Sequence, residues 1–148
     1  MKRVLIMMIA LFSMLITVEA QSGLNIEPLF AGKIIPQQRI VETRVKGKML
    51  SKYQLSLFRS VRFQANNKQE ITRVHDLMEL DKKKYPNNTY SENYSSTKSR
   101  SKETLMLQLP KESNNNRFQC YKRNNEEVTV IYMEGTLNSL DTLRELIK

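Results

Sequence analysis

The chain holds one cysteine, one histidine, four glycines and four prolines in 148 residues. A single cysteine, Cys120, rules out an intramolecular disulfide. A single histidine, His75, rules out a metal site built from several imidazoles. With so few glycines there is no Gly-rich phosphate loop and no nucleophile elbow, and the metalloprotease helix motif is also missing. No cofactor is implied. The residues that catalysis usually requires are therefore absent or badly spaced, and a catalytic set cannot be assembled from motifs.

What is present begins at the N-terminus. Lys2 and Arg3 precede an uncharged apolar run over residues 4–18, and Val18 and Ala20 occupy the −3 and −1 positions before Gln21. A basic start, an apolar stretch and small residues at a cleavage point describe a secretory signal peptide over residues 1–20. The run is shorter than the roughly 20 residues a spanning helix needs. The expectation is an exported chain (periplasm, outer surface or secreted) with no transmembrane segment after cleavage. Removing Lys2, Arg3 and Glu19 changes the formal net charge from +9 to +8 and leaves 128 residues, enough for one domain.

That basic balance could suit a polyanion. The cations are scattered, however, and only Lys82, Lys83 and Lys84 form a run, at the end of a predicted helix where cations complement the dipole. Aromatic residues are not interleaved as a stacking platform needs, so nucleic acid is disfavoured as a partner.

Residues 21–38 read as an arm broken by Pro28 and Pro36, with Leu24, Ile26, Leu29 and Phe30 apolar enough to dock on the domain and a short helix ending near Gly32. Residues 39–148 form the domain. Residues 39–46 alternate as a half-buried strand. Residues 53–63 alternate for longer, but Arg59 falls on the apolar face. A bulge at Arg59-Ser60 would turn the guanidinium outward; an inward, functional Arg59 is the sharper alternative.

Residues 67–84 show helical spacing through Ile71, Val74, Leu77 and Met78. His75 lies beside that stripe and reads as a partly exposed structural residue. Asp76, Glu79 and Asp81 read as helix-surface partners of the following lysines. Residues 87–102 are rich in Ser, Asn and Thr and read as an exposed loop carrying two N-glycosylation patterns, at Asn87 and Asn93.

Three strands follow. Leu105, Leu107 and Leu109 alternate. Cys120 shares a strand face with Phe118 and should be buried and inert. Asn124-Asn125 suits a tight hairpin. Residues 127–133 are apolar on both faces, Tyr132 included, and should be central. Ser139 can cap a last helix with Leu140, Leu143, Leu146 and Ile147 in a stripe.

The expected fold is α+β: a single antiparallel sheet of four to five strands with two helices on one face, in the order β-β-α-β-β-β-α, the arm covering part of the other face. The site candidates are His75, Arg59 and Tyr132; no catalytic, cofactor-binding or metal-binding residue is assigned.

Residues 23–30 (Gly-Leu-Asn-Ile-Glu-Pro-Leu-Phe), 45–48 with 57–60, and 128–136 (Val-Thr-Val-Ile-Tyr-Met-Glu-Gly-Thr) resemble a family of small exported proteins of unknown function from gut Bacteroidota. The resemblance covers most of the mature chain and implies a periplasmic or outer-surface location, where both glycosylation patterns would be idle. It carries over no catalytic residue. The leading functional expectation is a non-enzymatic exported module that binds a protein or envelope partner. The alternatives are a small periplasmic hydrolase with a site around His75, and a binder of polyanions through the basic surface.

Overall fold

A computed structural model describes residues 23–86, 89–96 and 100–147. The expected signal peptide and its cleavage point lie outside these residues. The arm opens with helix α1 (Glu27–Phe30), which leads through a turn at Gly32 to strand β1 (Ile40–Lys46). A 3-10 turn (Lys48–Tyr53) connects to β2 (Leu55–Gln64). Helix α2 (Lys68–Lys84) follows, capped by Asn67, whose side chain accepts from the Glu70 N–H. The remaining elements are β3 (Thr89–Ser96), β4 (Arg100–Glu112), β5 (Asn115–Asn124), β6 (Glu127–Gly135) and α3 (Leu140–Leu146), the last capped by Ser139.

The strands form one antiparallel sheet of six, ordered β1-β2-β6-β5-β4-β3. The class is α+β as expected, with more strands than expected. The additional strand is β3, which falls in the polar stretch read as a loop. It pairs with β4 from Thr89↔Leu107 to Ser96↔Arg100. An edge strand needs only backbone partners on one side, so a Ser- and Asn-rich sequence can serve.

β6 is interior, between β2 and β5. Val128, Val130 and Tyr132 are buried on one of its faces, Ile131 and Met133 on the other. Asn125, at φ 57°, turns the β5–β6 hairpin as its tolerance of the left-handed region allows.

The two longer helices do not share a face. Ile71, Val74 and Met78 of α2 pack with Leu57, Val61, Leu105, Leu107, Val130 and Tyr132. Leu143 of α3 packs instead with Met106, Phe118, Cys120, Ile131 and Met133. The arm lies on the α2 side, where Leu24, Ile26, Leu29, Phe30 and Ile35 are buried. Both expectations, of helices on one face and the arm on the other, are therefore corrected. α2 and the arm share one face because together they are broad enough to seal it. The short α3 covers only part of the second.

One glycine is fixed by close approach. A Cβ on Gly135 would lie 2.2 Å from the carbonyl oxygen of Gln54, which accepts from the N–H groups of Thr136 and Leu137. This contact ties the entry of β2 to the exit of β6.

Candidate functional site

Arg59 and Tyr132 are brought together. They are register partners on β2 and β6, on the face that the arm covers. Pairing runs unbroken through Arg59, and the irregularity in β2 lies at Leu55/Leu57 instead. The bulge that would turn the guanidinium outward is thus absent, and Arg59 is only 6% exposed. Its Nε donates to Glu42 at 2.9 Å, and Nη2 donates to the Phe30 carbonyl at 3.3 Å. The guanidinium carbon stands 5.0 Å from the Phe30 ring centre. Arg59 therefore helps dock the arm.

Tyr132 is fully buried and its hydroxyl donates to Glu134. Burial first, then the bond to Glu134, pushes its phenol far above the ordinary range, so it stays protonated. Arg117 on β5 sits over the Tyr132 ring at 6.0 Å and bonds Glu112 at 2.6 Å. Buried cations and acidic partners thus alternate across the sheet. The cations are buried while Glu112 and Glu42 reach solvent, and these bonds run between parts of the same chain, which suits a structural role.

His75 stands apart, over β4 and β5. Its Nε2 lies 2.7 Å from Glu103 and its ring meets Tyr121 edge-on at 5.6 Å. It is partly exposed, as expected, and joins α2 to the sheet. Among the described residues no group of His, Cys, Asp and Glu could hold a metal ion.

Sequence reasoning missed the role of Asp81. It is fully buried, not a surface partner of the lysines. Its carboxylate accepts from the backbone N–H groups of Asn25 (2.7 Å) and Ile26 (3.1 Å), the Asn25 amide (3.0 Å) and the Gln119 amide (3.0 Å). The signal was available: Asp81 follows Met78 by three and Val74 by seven, so it continues the buried stripe.

Access to solvent is found on the other face. Three concavities flank α3. One of about 460 Å³ has Phe58 and Ile131 as its apolar floor, Leu146 and Ile147 above it, and Lys102 and Lys122 at its basic end. A second, of about 290 Å³, shares Phe58, Leu146 and Ile147 and continues towards Leu50, Tyr53 and Met133. The third, of about 280 Å³, opens between Tyr90 and Arg144 on the β3 side. The Lys122 ammonium donates to the Ile147 carbonyl at 2.8 Å, holding the C-terminal end of α3 and placing a cation against its dipole. Leu146 and Tyr53 remain 42% and 41% exposed, so the groove is open to a ligand.

An α+β chain with one sealed face and one grooved face defines the class. Comparison with known proteins gives the family: residues 13–147 match the family of unknown function DUF6108, and the chain belongs to it. No curated protein and no solved structure matches.

Proposed function

We propose that the protein is a non-enzymatic exported binding module that engages its ligand or envelope partner through the α3 face. The observation that carries this reading is the placing of the grooves. Three concavities lie beside α3, while the charged candidates on the opposite face are engaged in holding the arm and α2. Polar groups buried under the arm cannot meet a ligand without unfolding it. An apolar floor with convergent cations is the ordinary make-up of a binding cleft. The basic start, the apolar run over residues 4–18 and Ala20 support export with a mature N-terminus at Gln21. Among the described residues no helix is long and apolar enough to cross a membrane. The resemblance to exported proteins of gut Bacteroidota supports a periplasmic or outer-surface location. A hydrolase centred on His75 is the second reading: the 2.7 Å contact of its Nε2 with Glu103 is one a general base can use, but none of the three concavities beside α3 includes His75.

The test is site-directed photo-crosslinking in the native envelope, with the probe at Leu146 on α3 or at Arg73 on the outer surface of α2. Partners captured from Leu146 and not from Arg73, on a chain whose intact mass starts at Gln21, support the reading. Equal capture from both positions, or retention of Met1, overturns it.

A further inference from the structure

We infer that the trough beside α3 binds a single-chain anionic amphiphile, a free medium-chain carboxylate, with its alkyl chain along Phe58, Met133 and Leu146 and its headgroup at Lys102 and Lys122. The inference rests on the reading of the α3 face as the binding face and supplies the ligand class.

The argument is one of polarity along a line. The two larger concavities share Phe58, Leu146 and Ile147, so they form one continuous trough. Its far end is walled by Leu50, Leu55, Met133 and the Tyr53 ring, with the Lys52 ammonium 4.8 Å from the centre of that ring. Its near end carries two cations, Lys102 and Lys122, against one carboxylate, Glu127, and adds the hydroxyls of Thr104 and Thr129 as hydrogen-bond donors. From Thr129 to Met133 the strand path along β6 covers about 13 Å. That length suits an extended medium-length acyl chain with one anionic end. A peptide helix would need a wider apolar seat, and a uniform polyanion would leave the apolar half of the trough unused. The basic end also has donors to spare. Lys122 gives one of its three N–H groups to Ile147 and keeps two for a ligand. A carboxylate placed there gains charge-assisted bonds while the chain leaves water.

The cations come from separated parts of the sequence, Lys102 on β4 and Lys122 on β5. The pairing Lys102↔Asn124 and Thr104↔Lys122 brings them to one end of the sheet. Leu146 and Ile147 then close the trough from above at the end of α3. Neither half forms a recognisable motif by itself.

Titration calorimetry of the full chain with dodecanoate below its micellar concentration is the test. Acetate serves as the headgroup alone and dodecyl maltoside as the chain without charge. Saturable binding of dodecanoate, with no saturable binding of acetate and weaker binding of the maltoside, is expected. Lys102→Gln and Leu146→Gln change exposed side chains, so both variants should melt like the parent, and each should weaken dodecanoate by about tenfold. Equal affinity for dodecanoate and the maltoside with no effect of Lys102→Gln overturns the inference, and so does the absence of dodecanoate binding. Binding only to phosphatidylglycerol vesicles, or affinity for a chainless polyanion that collapses with salt, also overturns it in favour of a charged surface. If Leu146 still cross-links an envelope partner while dodecanoate does not bind, the ligand class alone is wrong. If both are negative, the binding face is wrong as well.

Discussion

Replacing Asp81 by alanine removes the acceptor on which the arm and the sheet converge. Four donors lose their partner: two backbone N–H groups in the arm, the Asn25 amide and the Gln119 amide. Asn25 is partly exposed and can turn to water. Ile26 is fully buried and cannot. Gln119 keeps only the sulfur of Met78, at 2.9 Å. A buried donor left without a partner costs about 1–3 kcal/mol, and the two buried ones set the scale. Relief of burying a carboxylate offsets part of this, so the net loss is about 3 kcal/mol from a total of roughly 5–15. Urea unfolding followed by circular dichroism measures it. For a domain of this size the melting temperature should fall by roughly 10 °C. Limited proteolysis should then cut first within residues 23–38, because the arm loses its anchor before the sheet loses its pairing. Asp81→Asn retains one acceptor and should fall between alanine and wild type. An Asp81→Ala midpoint within about 0.5 kcal/mol of wild type would refute the reasoning, since that is the range of an ordinary surface substitution.

Val130 and Ile131 are buried on opposite faces of β6, so Val130→Asp and Ile131→Asp should each abolish the cooperative melt; an Ile131→Asp chain melting like wild type would mean that α3 does not cover that face. Burial pushes the Cys120 thiol up to about 12, so it should resist thiol reagents at neutral pH, and rapid labelling of the native protein would contradict its placement. Because that pKa is raised on folding, the stability it contributes is whole below pH 9 and is lost as pH rises from 9 towards about 12, which alkaline titration of the urea midpoint in a Cys120→Ala comparison can read. Glu70 is held at about 2, first by its bond to Arg39 and then by the Asn66 N–H. Its contribution is present above pH 4.5 and lost as pH falls towards 2. Glu70→Gln should flatten that part of the acid unfolding curve, and an unchanged curve would mean the pair is screened by solvent.

The sequence order of helices and strands was largely legible because each element carries its own period. Residues 67–84 and 127–133 announce a helix and an interior strand without help from the rest of the chain. β3 was not legible, because an edge strand whose side chains need no apolar face reads as a loop, and its identity is conferred by β4. The side of the sheet taken by α3 was not legible either. Both amphipathic stripes fit either face. Arg59 was visible as a break in alternation, which marked it as unusual but could not supply Glu42 and Phe30 as partners, 17 and 29 residues away. Asp81 was visible on the buried stripe of α2 and was missed because neighbouring acids and lysines offered a simpler account. The trough was invisible, since Phe58, Lys102, Lys122 and Leu146 meet only after the sheet has been assembled.

The unequal treatment of the two faces is itself an argument about function. On the α2 face, polar side chains cost stability unless each finds a partner, and here several of them converge on the arm: Asp81 on Asn25 and Ile26, Arg59 on Phe30, Lys84 on the Gly23 carbonyl. Three independent anchors over a stretch of eight residues are more than burial of Leu24, Ile26, Leu29 and Phe30 alone would require. They fix the arm in one register over that face. On the α3 face the same chain leaves Leu146 and Tyr53 substantially exposed and sets cations at one end of an apolar trough. Closing one face with three polar anchors while leaving the other partly open is the asymmetry on which the proposed binding face rests.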